Sequence, residues 1–458
     1  MAHSASPAPP PGDWRTPLAA ALIALGVYLL TIAPDLTTAH FGGDGGELIT
    51  AAITRGVPHP PGYPTYLLLS KLFSYLPLGT VAFRFNLFSA LCTAAAAGLV
   101  AAATHAWSHQ PHPIGSLAAA LSFAFAPLVW SQALIAEVYG LNLLLVAAVL
   151  WATATRRPPF WRGLLLGLAL TTHLTSLLLL PLLLLLTPRR GWGLLLLGAF
   201  SGLLPYALLP LWLNPRSPVI WGDPTTLSGW WWLVSGRLYQ PNLAHLDRLG
   251  EQIGTAASAF LRQYAYLGVA LPVLALWRRR DRLAVGLLLT TALYALYALT
   301  YDAIDAGIFF LPGLMLLNIS LTFLPRRGQP ILLILPITLL ALNFGRVNLR
   351  EDEMLRARAQ AALIAAPPAG ILLTPGDETI FTLWYFQTIE GLRPDLILID
   401  ANLYAFDWYR RHLSHQHPDL THLERDDLPA LWQQAEHPTC AINLTTAPPL
   451  TCENHAQR

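Results

Sequence analysis

The fold class is decided by an uncharged apolar run that leads into a polar, glycine-rich loop: LAAALIALGVYLLTIA (residues 18–33), followed by PDLTTAHFGGDGGE (residues 34–47). A run of this composition is typical of a helix that inserts into a membrane. The loop after it carries Asp44 and Glu47 between glycines. Acids beside a bilayer are costly unless they have a function, and glycines leave the backbone open to a bulky ligand. The sequence therefore predicts a membrane protein with a site of chemistry in this loop.

The composition extends this prediction to the whole chain. Of its 458 residues, 54% are hydrophobic and 12% are charged, whereas about 25% are charged in soluble domains. The mean hydropathy is +0.47. Further apolar runs occupy residues 87–103, 141–154, 191–213, 283–299 and 331–344. We therefore expect a polytopic α-helical membrane protein that has the lipid bilayer as its partner. A net charge of +2 is too small to suggest a nucleic-acid partner.

The arginines predict the orientation of the chain. Residues 1–17 are rich in proline and alanine and are expected to form a disordered cytoplasmic tail, with Leu18 opening a signal anchor. Basic clusters mark cytoplasmic loops by the positive-inside rule. They are Arg15; Arg156, Arg157 and Arg162; Arg189 and Arg190; Arg278, Arg279, Arg280 and Arg282; and Arg326 and Arg327.

Keeping these clusters on one side requires two segments between Arg162 and Arg189. The polar break Thr171-Thr172-His173 supplies a turn, so residues 163–170 and 174–186 are predicted to be a pair of short helices with His173 on the outer side. Neither is obviously able to cross about 30 Å alone. The alternative is one span here, which would invert every later loop.

This arrangement places most of the acids on one side. Nine of the eleven acids before residue 346 fall on the outer face: Asp35, Asp44, Glu47, Glu137, Asp223, Asp247, Glu251, Asp302 and Asp305. Only Asp13 and Asp281 stay inside. Acids contribute little to orientation, so their segregation is an independent sign of a polar, functional outer surface.

The first outer loop, residues 35–83, is predicted to contain two interfacial helices on the outer leaflet, at residues 48–54 and 65–76. The second carries Lys71 and is too short and polar for a confident span, although a span is the alternative. A transmembrane domain of residues 18–345 would then cross about eleven times. The protein is expected in the plasma membrane, with the N-terminus in the cytoplasm and the C-terminus outside.

Residues 346–458 have a different composition, with 24 charged residues in 113. Residues 370–374 read as a strand, followed by a turn and a capped helix, and residues 396–399 and 440–444 supply further strands. We expect a small extracytoplasmic α/β domain. Its Cys440 and Cys452 could form a disulfide in an oxidising compartment, whereas Cys92 lies in an apolar run and is expected to pack.

Seven motifs, taken in order, resemble one family. They are DGGE (44–47), HPPGYP (59–64), AEVYGLN (136–142), THLT (172–175), WGDPT (221–225), GDE (376–378) and RPD (393–395). The resemblance is to a prokaryotic membrane family related to transmembrane protein 260, a protein O-mannosyltransferase of the GT-C glycosyltransferase superfamily. Gly45 stands where the family commonly has Ser, and Thr172 where it often has a second His. These departures leave the carboxylates and one histidine intact.

The resemblance implies a GT-C-like fold and a lipid-phosphate sugar donor. It also implies an outer-leaflet active site under the first outer loop, with an acid of that loop as catalytic base. Asp44 is the first choice for this base, because inverting transfer needs a carboxylate to take the proton of the acceptor hydroxyl. Glu47 is the second catalytic candidate; it could instead cap a helix, support Asp44 or join a metal site. The alternative for Asp44 is an N-cap before residue 48.

Other polar residues of the outer loops are candidates for substrate binding: His59, Tyr63, Glu137, His173, Arg237, Lys71, Arg84 and Asp223. Arg237 is preferred for the donor phosphate, because guanidinium binds phosphate bidentately, with Lys71 and Arg84 as runners-up. Alternatives stay open: the three cations could bind lipid headgroups nonspecifically, His59 could hydrogen-bond its own loop, and Glu137 could be solvated at the interface.

The predicted function is inverting transfer of a sugar from a polyprenyl-phosphate donor to an extracytoplasmic hydroxyl. Mannose is one candidate sugar, and the acceptor is a Ser/Thr of a protein or a glycolipid. No cofactor is assigned, and a divalent metal is left open because two carboxylates alone do not define a site. The alternatives are a transporter or lipid flippase, which should place ionisable residues at mid-membrane, and a noncatalytic envelope assembly protein.

Overall fold

A computed structural model describes residues 14–418, 420, 428 and 438–452. Within them the chain has twenty α-helices and four β-strands. The helices are α1 (Arg15–Thr31), α2 (Gly45–Thr54), α3 (Pro64–Ser70), α4 (Val81–Trp107), α5 (Pro113–Ala124), α6 (Pro127–Ala133), α7 (Tyr139–Ala154), α8 (Pro159–Leu170), α9 (Leu180–Leu186), α10 (Trp192–Gly202), α11 (Leu204–Trp212), α12 (Leu227–Val234), α13 (Leu249–Arg262), α14 (Ala270–Arg279), α15 (Arg282–Thr300), α16 (Leu311–Ser320), α17 (Ile334–Val347), α18 (Met354–Ala365), α19 (Asp377–Thr388) and α20 (Asp407–Gln416). The strands are β1 (Ile371–Thr374), β2 (Ile397–Asp400), β3 (Thr439–Ile442) and β4 (Leu450–Cys452).

The prediction of a multi-pass membrane protein is confirmed. Among the described residues, five helical segments are long and apolar enough to cross a membrane: Val81–Trp107, Arg189–Trp212, Arg282–Thr300, Ala306–Phe323 and Arg326–Val347. The count rises to seven if each of two bent pairs, α5 with α6 and α13 with α14, is one span. Four shorter apolar helices correspond to predicted segments. Arg15–Thr31 matches the predicted anchor, Tyr139–Ala154 matches the apolar run 141–154, and Pro159–Leu170 and Leu174–Leu186 match the predicted pair around His173. The total of eleven crossings stays a prediction.

The first loop differs from the two interfacial helices predicted for it. Residues 65–76 form the short helix α3 and a 3₁₀ helix, Lys71–Tyr75, that is partly exposed. Residues 48–54 lie in α2, but α2 is enclosed by protein, since every residue from Gly45 to Ala52 is buried. The physical reason is that α19 of the C-terminal domain packs across this helix, a contact between segments that lie more than 300 residues apart.

Helices α8 and α10 cross with their backbones in close contact, because each carries two glycines four residues apart. A Cβ atom at Gly163 would lie 1.9 Å from the carbonyl oxygen of Leu195. One at Gly198 would lie 2.0 Å from the carbonyl of Phe160, and Gly167 and Gly202 face each other across the same crossing. Small residues at this spacing are a common device for packing helices where lipid surrounds them.

We expect Gly198→Leu to destabilise the protein by at least about 3 kcal/mol, because the new side chain would meet backbone that cannot move aside. The unfolding temperature of the purified protein in detergent measures the effect. Gly193→Leu in the same helix is the matched control, since no atom lies within 4 Å of a Cβ there. Equal unfolding temperatures for the two variants would contradict the proposed crossing.

The C-terminal domain is a small α/β unit, as predicted. Its sheet has the order β2-β1-β3-β4, in which β1 pairs in parallel with β2 and β3, and β3 pairs antiparallel with β4. A disulfide joins Cys440 to Cys452 across the last two strands, and Cys92 is a buried free thiol in α4. The parallel strands bring the ends of β1 and β2 to one edge, from which α19 begins.

This domain is tied to the first loop by a buried ionic contact. The Arg356 guanidinium in α18 pairs with the carboxylates of Asp35, which follows α1, and Glu390, which follows α19. Thr37 also donates to the Asp352 carboxylate at 2.5 Å. One continuous apolar core extends from α2 into α19, so the loop and the domain form a single packed layer at this end of the helices.

Candidate active site

Asp44 lies where a short 3₁₀ helix, Ala39–Asp44, turns into α2. It occupies the N-cap position of α2, but its carboxylate accepts no capping hydrogen bond. The side chain is 42% exposed. The alternative that Asp44 serves only to cap the helix is therefore not supported by its contacts, and the carboxylate is open to a ligand.

Glu47, one turn further along α2, is in the opposite situation. It is fully buried, and both of its carboxylate oxygens are engaged by His59. Oε1 accepts the backbone N–H of His59 at 3.2 Å, and Oε2 lies 2.5 Å from the Nδ1 atom of the same residue. Glu47 therefore anchors His59 and has no exposed oxygen to offer a substrate.

His59 connects the two carboxylates. Its Nε2 atom lies 2.8 Å from the Tyr63 hydroxyl and 3.6 Å from Oδ2 of Asp44. Tyr63, which has a left-handed backbone conformation, in turn donates weakly to the carbonyl of Pro60 at 3.5 Å. With Nδ1–H donated to Glu47 and Nε2–H donated to Tyr63, every polar contact of this imidazole suits its doubly protonated form.

The electrostatic surroundings favour the same form. Burial by itself lowers the pKa of His59, but the charges of Glu47 and Asp44 outweigh it and raise the pKa from 6.5 to about 10. Burial raises the pKa of Glu47, and the contact with His59 opposes that shift. At neutral pH the site therefore holds a fixed cation next to the open carboxylate of Asp44.

The charged pair predicts a pH dependence of stability. Because the folded-state pKa of His59 is raised, its contribution is fully present below about pH 6.5 and is lost as the pH rises through about 10. The wild-type unfolding temperature should fall over this interval more steeply than that of His59→Gln. Unfolding temperatures measured from pH 6 to 11 test this, and parallel curves for the two proteins would argue against a charged His59.

Glu137, another predicted site residue, lies beside this cluster. Glu137, between α6 and α7, is 2% exposed; Oε2 accepts the Val138 N–H at 3.4 Å, and Oε1 has no partner among the described residues. Burial, then the charge of Asp44, raises its pKa well above the usual value. Burial thus favours the neutral form of Glu137, which can donate a hydrogen bond.

His173 lies in the turn after α8, as predicted, with its ring between those of Tyr139 (5.5 Å) and Phe309 (5.3 Å). Nδ1 accepts the N–H of Thr175 at 3.3 Å, which leaves the ring proton on Nε2. Burial and then the charge of His59 lower its pKa to about 4. His173 is therefore a neutral hydrogen-bond donor at physiological pH.

Comparisons with known proteins identify the family of this chain. The family model described as "Protein O-mannosyl-transferase TMEM260 N-terminal domain" matches residues 44–193, and the one described as "TMEM260-associated domain 2" matches residues 355–438. The protein named Protein O-mannosyl-transferase TMEM260 in Mus musculus is 31% identical over an alignment of 480 residues, which covers 90% of this chain and 67% of the mouse protein. The chain belongs to the TMEM260 family.

A second TMEM260 relative is more distant. Protein O-mannosyl-transferase tmem260 of Dictyostelium discoideum is 23% identical over 476 aligned residues, covering 84% of this chain and 57% of that protein. The family resemblance predicted from the motifs is thus confirmed, and the named members are glycosyltransferases. The first TMEM260 match begins at Asp44 and includes His59, Glu137 and His173, while the second includes Asp377.

Lys71 and Arg84, runners-up for the phosphate, have local structural contacts in this TMEM260 family member. Lys71 donates to the carbonyl of Ile53 at 3.1 Å, at the end of α2 remote from Asp44, and lies over the ring of Trp212. Arg84 donates to three backbone carbonyls in the turn of residues 74–79. The structure does not bring either cation to the His59 cluster, because each is held by the loop next to it.

Arg237 and Asp223 lie in the long loop around α12. Arg237 is exposed, and no hydrogen bond or ion pair to its side chain is found among the described residues. It begins the 3₁₀ helix that carries Tyr239, whose ring stands edge-on to His59 at 6.1 Å. Asp223 accepts the hydroxyl of Thr225 at 2.8 Å within its own turn, so its contact is local.

The TMEM260 family site also contains residues that the sequence analysis did not select. Asp377 and Phe381 come from α19, Tyr239 from the α12 loop, and Asp305 from the loop before α16; all but Phe381 interact electrostatically with Asp44. Two signals were present, since GDE at 376–378 was one of the motifs and Asp305 was one of the outer acids. Neither pattern indicates that a segment 330 residues away reaches the first loop.

A metal site is not apparent in the described part of the chain. It contains no group of three or more His, Cys, Asp or Glu side chains placed to hold one ion. The open carboxylates here, Asp44 and Asp377, would each need ligands from a substrate to complete a coordination shell.

Proposed function

We propose that this TMEM260 family member is an inverting glycosyltransferase in which Asp44 is the catalytic base. The observation that carries the proposal is the contrast between two neighbouring carboxylates. Asp44 is half-open and 3.6 Å from a buried imidazolium, whereas Glu47 is enclosed, with one oxygen on that imidazolium and the other on the backbone N–H of His59. The sequence left the choice between the two acids open, and this contrast favours Asp44.

In the proposed reaction, Asp44 takes the proton from the acceptor hydroxyl. At the same time the oxygen of that hydroxyl bonds to the anomeric carbon of the donor sugar. The bond between that carbon and the phosphate oxygen breaks on the opposite face, so the configuration inverts and the lipid phosphate leaves. His59 lies 3.6 Å from the Asp44 carboxylate, and Glu47 is a positioning residue that keeps His59 charged.

The departing phosphate needs donors of positive or partly positive character. The Nε2–H of His173 and the neutral acid of Glu137 can supply hydrogen bonds from one side of Asp44. Arg237, which is exposed and lies two residues before Tyr239, can bind the phosphate from the solvent side of the site. These roles follow from what each group can donate, and each is a proposal for substrate binding.

A polyprenyl-linked donor is supported by an apolar groove that begins beside the site. It lies between α3 and α11, has a volume of about 220 Å³ and is lined by Leu67, Leu208, Leu211 and their neighbours. Helix α3 starts directly after Tyr63, the hydroxyl of which contacts His59. A lipid tail in this groove would bring the attached phosphate towards the cluster.

The proposal includes a GT-C-like fold with eleven crossings and a site on the extracytoplasmic face of the plasma membrane. The support is that the helix ends bearing Glu137, His173 and Asp305 meet around Asp44, while the arginine clusters lie at the opposite helix ends. The acceptor is proposed to be a Ser or Thr hydroxyl, by analogy with the named activity of the relatives, with mannose as the first sugar to test.

The test is to incubate the purified full-length protein with an acceptor peptide and a panel of polyprenyl-phosphate sugars. Release of polyprenyl phosphate and the mass of the peptide are followed together. We expect one donor to be consumed with one hexose added per peptide. Consumption of no lipid-linked donor, or transfer from a nucleotide sugar offered in a parallel reaction, would contradict the proposal.

A further inference from the structure

In the described part of the chain, four aromatic rings surround the imidazole of His59. Three of them stand at steep angles to it, with centroid distances of 5.1 Å for Tyr63, 6.0 Å for Trp221 and 6.1 Å for Tyr239. The fourth, Phe381, is nearly parallel to the imidazole, with 8° between the planes and 6.3 Å between the centroids. The first three rings belong to the first loop and to the loops around α12, whereas Phe381 belongs to α19 of the C-terminal domain.

The position of Phe381 is itself fixed by close packing. Its side chain is buried, Trp384 stacks on it at 5.6 Å and 24°, and the Trp221 ring meets it at 6.3 Å. Its backbone lies against α2, because a Cβ atom at Gly46 would be only 2.3 Å from the carbonyl oxygen of Phe381. A methyl group does not fit at this distance, so glycine at position 46 lets α19 approach the helix that carries Glu47.

The hydrogen bonds of His59 do not by themselves fix the tilt of its ring. Nδ1 is held by Glu47 at 2.5 Å and Nε2 by the Tyr63 hydroxyl at 2.8 Å. Contacts at two edges of a ring allow it to rock about the line that joins them. Phe381 lies parallel to the imidazole, at a separation typical of offset aromatic stacking, and limits this movement. Nε2 is thereby kept 3.6 Å from Oδ2 of Asp44.

Resting on the function proposed above, we infer that Phe381 is a positioning residue for sugar transfer: its ring fixes the orientation of His59 and, through His59, the place of the Asp44 carboxylate. The C-terminal domain is therefore part of the catalytic unit and not a separate binding module. Because Phe381 acts through His59, its loss should slow the chemical step and leave donor and acceptor binding nearly unchanged.

The role of Phe381 is tested with the purified full-length variant Phe381→Leu, which keeps an apolar side chain but removes the flat ring. We expect kcat for sugar transfer to fall at least about tenfold while the KM values for donor and acceptor stay within about twofold, because small displacements of reacting groups have effects of this size or larger. Limited proteolysis checks that both domains are folded.

Phe386→Leu is the matched control, since it removes a ring of the same size from the same helix. Phe386 is fully buried, and its ring contacts Tyr385 and Arg356. Its kcat should stay within about twofold of wild type. An equal loss of kcat in the two variants, or a rise of KM without a loss of kcat in Phe381→Leu, would overturn the role of Phe381.

A second measurement does not depend on sugar transfer. Exchange of the C2 hydrogen of His59 for deuterium, read by mass spectrometry, reports the access of water to the imidazole. We expect this exchange to be several-fold faster in Phe381→Leu than in wild type, since the missing ring opens the imidazole to water, and to be unchanged in Phe386→Leu. Equal exchange in wild type and Phe381→Leu would show that Phe381 does not enclose His59.

Gly46→Ala displaces the same ring without changing it. The new methyl group would push the Phe381 carbonyl away, and α19 with it, so kcat should fall at least about tenfold and exchange at His59 should rise. Gly26→Ala in α1 is the control outside the first loop, because no atom of the described chain lies within 4 Å of a Cβ there. It should keep the wild-type kcat and exchange. A folded Gly46→Ala variant that also keeps both would contradict the packing of α19 that the inference requires.

The outcomes separate this inference from the proposed function. A wild-type protein that transfers no sugar would overturn the function and, with it, the catalytic role of Phe381, even if exchange at His59 depends on that ring. Transfer by wild type together with an unchanged kcat in Phe381→Leu would overturn the inference alone.

Discussion

Asp44→Asn is expected to lower kcat for sugar transfer by about 10² to 10⁴-fold, with a much smaller change in KM. Asparagine keeps the size and the hydrogen-bonding shape of the side chain but cannot accept the proton of the acceptor hydroxyl. The measurement is the rate of polyprenyl-phosphate release at saturating donor and acceptor, compared with wild type.

The control for this variant is Asp247→Asn, which makes the same substitution at an exposed acid of another outer loop. The Asp247 side chain is 79% exposed and lies 3.8 Å from the His245 ring. Its kcat should match that of wild type. Transfer by Asp44→Asn at the wild-type rate would show that Asp44 is not the base. Glu47 and Asp377 would then be the next candidates for that role.

Arg356→Gln should destabilise the protein by about 3 kcal/mol, because it leaves the buried carboxylate of Asp35 without its cation. Asp35 has 4% of its side chain exposed, whereas Arg356 and Glu390 are about one-fifth exposed, so the expected loss is at the lower end for a broken buried pair. The unfolding temperature in detergent should fall by several degrees.

The second consequence of Arg356→Gln concerns the docking of the C-terminal domain. Because Arg356 joins the loop after α1 to the end of α19, its loss should raise the sensitivity of residues 348–353 to protease before the helices unfold. Arg350→Gln, an exposed residue of the same linker, is the control and should change neither property. Equal protease sensitivity in the two variants would show that the ion pair does not hold the domain.

Much of the architecture could be predicted because it depends on local sequence. Apolar runs identify helices that need lipid or protein around them, whereas the orientation taken from the arginine clusters stays a prediction. The turn at His173, the change of composition near residue 346 and the short apolar strands of the C-terminal domain are all short-range patterns. The motifs carried the family assignment for the same reason.

The features of the site that the sequence did not reveal depend on tertiary contacts. Lys71 and Arg84 stay predicted phosphate ligands by charge and by side of the membrane, and in the structure both donate to neighbouring backbone carbonyls. Asp377 and Phe381 were not selected, since no periodicity indicates that α19 crosses α2. The order of Asp44 before Glu47 rested on the family resemblance, because burial of one carboxylate and exposure of the other depend on what packs over them.

The sequence by itself determined that this is a multi-pass membrane protein of the TMEM260 family, with an acidic, glycine-rich loop. Composition and spacing suffice for this, because the cost of placing charge in lipid acts on each segment separately. Only the tertiary structure decided that Asp44 stays open while Glu47 is enclosed beside His59, and that α19 of the C-terminal domain packs over α2 and His59. The physical reason is that desolvation and pairing of charges depend on every segment packed around them.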